Sequence, residues 1–328
     1  MEGHFGVISP EPDSPSIEFS VVSGSNEQLI VDCIESLYET MRESRYSWRI
    51  TAICNTPGSE LPERLRSQFP DVHVIVNSAP RGFAANHNIV LASTRADYVW
   101  VLNDDLVFLP ETVARVTEFL EAPANSRVGA LSPKLLNTDG SLQPSTYSFP
   151  SMPQTLLAHS GIRDHPIVSR MVAAAAPVLR RRLGSSRHWS HDRTLEVDTF
   201  RGACVVVRMK AVREVGVMTE VAIVGAEEIE WHRRFVRAGW SVVFFAEASV
   251  IHHGSQTVDN EASHRPEYLK GTLDYFRRDS STVKYGLFSA ALLAMFAVQR
   301  GIAGLRGDAS GSRVAKQSMR VTLDSLGR

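Results

Sequence analysis

Apolar positions along this chain switch between two spacings. Residues 17–22 form a short β-rich run that ends at Ser23-Gly24-Ser25-Asn26, which reads as a strand closed by a turn. Leu29, Ile30, Cys33, Ile34, Leu37 and Met41 then recur every three or four residues, the stripe of a helix that packs on a sheet. The same logic predicts a strand at 49–54, a helix at 61–68 after a Pro-Gly turn, a strand at 72–76 and a helix at 84–93. Residues 98–102 are apolar at every position, as in a strand buried on both faces, and the run stops at Asn103-Asp104-Asp105. Alternating strand and helix imply a parallel α/β sheet with right-handed crossovers, whose ligands gather at the carboxyl ends of the strands.

Beyond a helix at 110–120 the pattern loosens. A strand is expected at 128–131, an Asp-Gly turn within 137–141, and loop over 143–153. Residues 154–193 carry an alanine-rich piece at 167–178 followed by Arg180-Arg181-Arg182, with no clear period. Regular spacing returns with a strand at 203–208, a helix at 227–238 closed by Gly239, and strands at 242–245 and 249–251. Toward the C-terminus Phe288, Leu292, Met295, Phe296 and Gln299 recur at helical spacing, flanked by Arg277, Arg278, Lys284, Arg300 and Arg306. The charge-free run 285–299 falls short of the ~20 residues of a spanning helix. It reads either as a core helix or as an interfacial helix drawn to anionic lipid.

Length changes the picture first: 328 residues make one large or two ordinary domains, enough for a sizeable core. Hydrophobic residues at 43% and charged residues at 22% exclude a disordered, collagenous or multi-span membrane chain. A formal net charge of -1 gives no global reason to expect nucleic acid as partner. Locally the balance shifts: 163–193 holds seven Arg against two Asp, and 261–328 holds eleven Lys or Arg against six acids. Cys33, Cys54 and Cys204 are too scattered for a disulfide framework or a zinc site, which suits a reducing cytoplasm. The start is polar and acidic, without the pattern of a secretory signal.

Four strand or helix ends carry candidate chemistry. Asn103 and Asp105 share a face of an extended chain, so their oxygens could meet on one hard cation, Mg²⁺ or Mn²⁺, suited to a diphosphate; an acidic loop capping the next helix explains them equally. Glu227, Glu228 and Glu230 open a helix that ends in Arg233, Arg234 and Arg237, which the helix dipole alone favours, while one glutamate in a cleft could serve as a general base. His252-His253-Gly254 ends an apolar strand and could supply an imidazole ligand. Gly82-Phe83-Ala84-Ala85-Asn86 leads into a helix whose free N–H groups could meet phosphate or ribose, or is simply a tight turn. Phosphate-binding Gly-Lys-Ser loops, nucleophile elbows and Cys-x-x-Cys pairs are absent from the sequence.

Taken in order, these pieces resemble the family 2 glycosyltransferases of the GT-A fold, especially their rhamnosyltransferase-like branch. The resemblance runs from about Phe19 to Thr257 through Arg81-Gly82-Phe83-Ala84-Ala85-Asn86-His87-Asn88, Val101-Leu102-Asn103-Asp104-Asp105, Pro133-Lys134-Leu135-Leu136 with Asp139-Gly140-Ser141-Leu142-Gln143, and Arg201-Gly202-Ala203-Cys204. It closes on Glu227-Glu228-Ile229-Glu230, Gly239-Trp240 and Val250-Ile251-His252. It implies a Rossmann-like α/β sandwich with a mainly parallel central sheet and C-terminal helices. The implied division is a disordered leader at 1–16, a catalytic domain at 17–257 and a helical extension at 258–328. Within the catalytic domain, 17–105 would be the nucleotide-binding half and 106–257 the acceptor half, with a basic insert at 154–193.

The resemblance also assigns roles. Asn103, Asp105 and His252 would bind the metal, Mg²⁺ or Mn²⁺, and Glu228 would be the base of an inverting transfer. Ser23, Asn26, Cys54, Gly82, Asn86, Asp104 and Asp105 would line the nucleotide-sugar site, with Asp104 near the ribose. Gly202, Ala203, Glu227, Trp231 and Arg234 would lie on or support the acceptor side. The donor would be a dTDP- or UDP-sugar, the acceptor a glycan or lipid-linked glycan in bacterial surface polysaccharide assembly. The enzyme would be cytoplasmic and dock peripherally on the inner face of an anionic membrane. Cys54, Asn103 and Glu228 each stand where the family usually has aspartate, so a catalytically weakened protein serving as a binding or partner subunit is the competing reading. Nucleotidyl transfer lacks its glycine-rich basic loop.

Overall fold

The computed structural model describes residues 14–24, 26–160, 191–220, 227–254 and 266–327. The expected leader and most of the expected basic insert lie outside the described residues. The chain divides into two compact units, one holding residues 1–148, 187–220 and 228–255, the other 149–186, 221–227 and 256–328.

In the first unit, β1 (Ser16–Val22), β2 (Ser47–Cys54), β3 (His73–Val76) and β4 (Tyr98–Asn103) pair in parallel in the order β3-β2-β1-β4. Helices α1 (Glu27–Met41), α2 (Leu61–Gln68) and α3 (Phe83–Ser93) make the crossovers, as the alternating pattern predicts. β4 explains its unbroken apolar run by being buried on both faces. Tyr98, Trp100 and Leu102 join one core with Phe19, Ile30, Ile34 and Leu37, and Val99 and Val101 join the other with Val205, Trp231, Phe235 and Phe244.

Past β4 the sheet becomes mixed. The chain continues through β5 (Leu106–Phe108), α4 (Thr112–Glu121), β6 (Val128–Leu136), β7 (Thr146–Tyr147), α5 (Met152–His159), β8 (Leu195–Glu196), β9 (Thr199–Phe200), β10 (Cys204–Arg208), α6 (Met209–Val215), α7 (Glu227–Arg237) and β11 (Ser241–His252). β10 is antiparallel to both β4 and β6, whereas β11 runs parallel to β6 and antiparallel to β5. The reversal of β10 matters for the site: its first residue, Cys204, pairs with Leu102, so the segment just before it lies at the carboxyl end of β4.

Several expectations are refined. The strands expected at 242–245 and 249–251 are one strand, β11, with a register shift between Phe245 and Ser249. β6 runs on through Pro133 because its ladder with β10 involves only Ala130 and Leu131, so the missing proline N–H breaks no bond there. α5 begins inside the segment expected to be loop. Its signal was present in the sequence: Ser151 accepts a hydrogen bond from the Gln154 N–H, with a proline in the first turn.

The second unit contains α5, α8 (Pro266–Asp279), α9 (Thr282–Leu305) and α10 (Ala309–Leu326). Ser281 and Asp308 cap α9 and α10 through Lys284 N and Gly311 N. Of the two readings of the C-terminal stripe, the core helix holds for its large side chains. Phe288, Leu292 and Phe296 are buried inside the helical unit, with Phe288 edge-on to Phe276 at 5.0 Å between ring centres and the Tyr285 hydroxyl bonded to Ser325 at 2.7 Å. The Gln299 amide donates to the His159 carbonyl at 2.6 Å. The apolar face left in water is the opposite one, with Val283, Leu287, Val298, Ile302 and Leu305 exposed. α9 also spans 24 residues rather than stopping with the charge-free run, so by length and composition alone it could cross a membrane.

Candidate active site

β1, β2, β4 and β11 deliver their last residues, and β10 its first, to one edge of the sheet. Val22 is in register with Asn103, which sets Ser23-Gly24 beside Asn103-Asp104. The Gly24 N–H donates to the Asp104 carboxylate. A Cβ on Gly24 would sit 3.0 Å from the same carboxylate oxygen, so glycine gives the closest unstrained approach here. Ser23 ties the neighbouring strand: its N–H donates to the Ile53 carbonyl at 2.9 Å and its hydroxyl accepts from Asn55 N–H at 3.0 Å. Asn26 spends its side chain as the N-cap of α1, accepting from Gln28 N–H at 3.1 Å.

Cys54 points into the core and is fully buried, which pushes its thiol up to about 11. The next residue, Asn55, carries the polar group at this strand end. Its side-chain oxygen accepts from Arg81 N–H at 2.9 Å and from the Asn77 amide at 2.8 Å, while its own amide donates to the Arg81 carbonyl at 3.1 Å. Asn77 also donates to Asn86 at 2.6 Å, and Asn86 donates to the Arg81 carbonyl at 3.0 Å. Gly82, in extended backbone, caps α3 directly after this knot. Three asparagines thus brace the Arg81-Gly82 turn, and Asn55 and Asn77 are members that sequence reasoning missed.

The acidic pair is split by its surroundings. Burial raises the Asp104 carboxyl to about 6, and the adjacent Asp105 charge adds to this against the opposing Gly24 hydrogen bond. Asp105 takes a different partner, the His252 imidazole. Antiparallel pairing of β5 with β11 puts His252 opposite Leu106, and His253 N–H donates to the Asp105 carbonyl at 2.9 Å. His252 Nε2 stands 3.3 Å from Asp105 Oδ1, both deeply buried, and neither atom completes a hydrogen bond. His252 Nδ1 lies 2.6 Å from Gln143 Oε1.

Gly202-Ala203 lie where reversed β10 places them: Asn103 N–H donates to the Ala203 carbonyl at 2.9 Å. A Cβ on Gly202 would sit 3.6 Å from the Glu228 carboxyl carbon, so Glu228, in the first turn of α7, flanks that segment. Glu227 is buried at the start of the same helix. Trp231 and Arg234 face elsewhere. Trp231 is fully buried against Phe235 and donates to the Gly216 carbonyl at 2.8 Å. Arg234 is bonded to Glu230 at 2.9 Å and to the Val215 and Val217 carbonyls at 2.6 and 2.8 Å. These two residues anchor α7 to the loop after α6.

Among the described residues no three His, Cys, Asp or Glu side chains form a metal cluster. Asp105 and His252 nonetheless suit a divalent cation, because a carboxylate oxygen and an imidazole nitrogen face each other without a hydrogen bond between them. Two protein ligands leave coordination positions for phosphate oxygens, the usual arrangement for Mg²⁺ at nucleotide sites.

Residues 21–173 match the family model described as Glycosyl transferase family 2. The chain is 26% identical over 228 residues to the N-acetylglucosaminyl-diphospho-decaprenol L-rhamnosyltransferase of Mycobacterium tuberculosis, covering 64% of this chain and 68% of the relative. The solved structure of GalNAc-T7 with UDP, GalNAc and Mn²⁺ superposes with a TM-score of 0.55 at 13% identity over 81% of this chain. The chain spans about half of that structure, 48% of its length. The mannosyltransferase PcManGT from Pyrobaculum calidifontis, in complex with GDP-Man and Mn²⁺, gives a TM-score of 0.52 at 13% identity, covering 98% of this chain and 90% of that one. At such identities the structural likeness establishes the fold.

Proposed function

We propose, on the premise that this chain is a glycosyltransferase with a family 2 domain on a GT-A fold, that it moves rhamnose or a similar sugar, with inversion, from a dTDP- or UDP-sugar to a lipid-linked glycan. The observation that carries this reading is the gathering of Asp104, the Asp105–His252 pair and the Gly202–Glu228 contact along one sheet edge. The mycobacterial relative is named for rhamnosyl transfer onto a diphospho-decaprenol-linked sugar, which supports the sugar and acceptor classes.

Asp105 and His252 would hold Mg²⁺ or Mn²⁺, with Asn103 at its side; both structural neighbours contain Mn²⁺. A cation bound there supplies Lewis-acid charge against the departing diphosphate. Gly24 and Asp104 sit at the end of β1 and β4, where a ribose hydroxyl would meet the carboxylate. The asparagine knot keeps the turn into α3 rigid beside the nucleotide. Glu228 takes the proton of the acceptor hydroxyl as its oxygen bonds to the anomeric carbon, while the bond from that carbon to the diphosphate breaks and its electron pair leaves with the nucleoside diphosphate.

The acceptor's lipid favours work at a membrane surface. The exposed apolar face of α9, bordered by Lys284 and Arg306, is the contact we assign to anionic lipid. The chemical reading is tested with Glu228→Gln, which keeps the shape of the side chain but accepts no proton. kcat should fall ~10² to 10⁴-fold with donor binding nearly unchanged. Wild-type turnover in this variant would refute the assignment.

A further inference from the structure

We propose that Gln143 is a positioning residue: its side-chain carbonyl holds the proton of His252 on Nδ1, so that Nε2 presents a bare lone pair beside Asp105 for a divalent cation. This rests on the metal reading above and names a residue that reading leaves without a role.

The geometry begins with a turn. After β6, Asn137 N–H donates to the Ser141 carbonyl at 2.8 Å and Gly140 N–H to the Asn137 carbonyl at 2.9 Å, with the Asp139 carboxylate accepting from Ser141 N–H at 2.9 Å. Gly140 takes φ +80, the left-handed conformation that makes glycine the natural residue there. The chain folds back on itself, Leu142 bridging to Leu136, and Gln143 N–H donates to the Leu135 carbonyl at 2.9 Å. The Asp-Gly turn therefore delivers Gln143 to the end of β11, where Oε1 meets His252 Nδ1 at 2.6 Å.

A carbonyl oxygen only accepts, so the proton in that contact belongs to the imidazole. The amide is turned this way because its nitrogen donates to Asn137 Oδ1 at 3.0 Å, and the Asn137 amide in turn donates to Ser141 Oγ at 2.8 Å. With the proton on Nδ1, the neutral ring has only a lone pair at Nε2, and that atom faces Asp105 Oδ1 at 3.3 Å without a hydrogen bond. Two facing acceptors are costly when buried, and a cation between them removes the cost. The competing arrangement turns both the Gln143 and Asn137 amides over. It places the proton on Nε2, satisfies Asp105 without metal, and blocks the ligand.

The test combines a spectroscopic and a binding measurement on the full chain. Histidine labelled with ¹⁵N, with His252 assigned by its loss in His252→Ala, reports which ring nitrogen carries the proton in metal-free protein. Mn²⁺ binding is followed by electron paramagnetic resonance, with and without UDP. The expected result is a protonated Nδ1 in the wild type and a proton moved to Nε2 in Gln143→Leu, whose Mn²⁺ affinity falls ~10 to 100-fold. Gln143→Glu, which can only accept, should stay within a few-fold of wild type, a rescue that a merely structural glutamine would not show. A bare Nδ1 in the wild type, equal Mn²⁺ affinity in Gln143→Leu, or equal losses in both variants would overturn the proposal. Equal Mn²⁺ affinity of wild type and His252→Ala would instead defeat the metal reading, while the nitrogen shifts would still decide what Gln143 does.

Discussion

Gly129 is the point where α7, which carries the proposed base Glu228, meets the sheet, and adding one methyl group there should be felt both as lost stability and as lost turnover. A Cβ on Gly129 would lie 2.8 Å from Phe235 Cδ1 and 2.8 Å from Trp240 Cβ. Ordinary carbon contacts are ~3.5–4.0 Å, so at least ~0.7 Å must be found. Trp240 cannot supply it by rotating, since its Cβ moves only with the backbone. That backbone is pinned by Trp240 N–H to the Phe235 carbonyl at 2.9 Å and Ser241 N–H to the Arg127 carbonyl at 2.8 Å. Its indole is held by Glu214 at 3.0 Å and covered by the Arg127 guanidinium at 4.1 Å. The relief must come from α7 lifting off β6. Overpacking of this kind costs about 1–3 kcal/mol, or about 2–10 °C in Tm for a domain near 200 residues. Glu228 rides on the same helix, and a ~1 Å displacement of a reacting group can cost ~10²-fold in rate. The assays are calorimetry and steady-state release of nucleoside diphosphate. Gly129→Ala should lower Tm and kcat together while KM for the donor stays near wild type, because Asp104 and the asparagine knot stand on other elements. Gly286→Ala in α9, where a Cβ meets nothing within 4 Å, is the control and should be neutral or stabilising by ~0.5–1 kcal/mol. Wild-type Tm and kcat in Gly129→Ala would refute the account of how α7 is seated.

Two further expectations concern pH and lipid. Burial lowers His87 and His232 to about 3 from the ordinary 6.5, so each ring stays neutral in the fold while the unfolded chain takes up a proton below 6.5. Their stabilisation is complete above 6.5 and is lost as pH falls, by about 2 kcal/mol each at pH 5; urea unfolding at pH 7.5 and 5 should show it, with the loss halved in His87→Gln. Leu287→Glu with Ile302→Glu should reduce recovery of the protein on anionic vesicles without changing its melting temperature, since both side chains face water; co-sedimentation equal to wild type would dismiss α9 as the lipid contact.

What was legible in the sequence follows from how local each feature is. The β1-to-β4 half could be read almost element by element, because the apolar spacing of β4 and the stripe of α1 are set by the same faces that become buried. The antiparallel insertion of β10 left no such trace, since an apolar run looks the same in either direction. That insertion is what brings Gly202 and Ala203 to Asn103. On α9 the spacing left two readings open, and packing decided between them: Phe288, Leu292 and Phe296 found α8 and α10 to pack against, and other aliphatic residues were left outside. Asn55 was hidden by its neighbour, because Cys54 is the residue that aligns with the family aspartate. The alternation of a strand turns Cys54 inward and leaves the next side chain at the edge.

The two adjacent carboxylates show how little sequence is needed to separate roles once the fold is in place. Asp104 and Asp105 are chemically identical and one residue apart, yet burial lifts the first to about 6 while the second faces His252 Nε2 at 3.3 Å. Both sit in the bend between β4 and β5, so the difference comes from what β11 and β1 bring to each. β11 brings an imidazole nitrogen and, behind it, the Gln143 turn; β1 brings a glycine N–H and nothing charged. A carboxylate oxygen that faces an imidazole nitrogen with no hydrogen bond between them suits a cation, whereas one facing a backbone N–H in a partly dry setting suits a neutral hydroxyl partner. The glycine at position 24 is therefore as much a determinant of Asp104's role as the histidine at 252 is of Asp105's. A side chain in place of Gly24 would press on the carboxylate oxygen that accepts from this N–H, since its Cβ would lie 3.0 Å away.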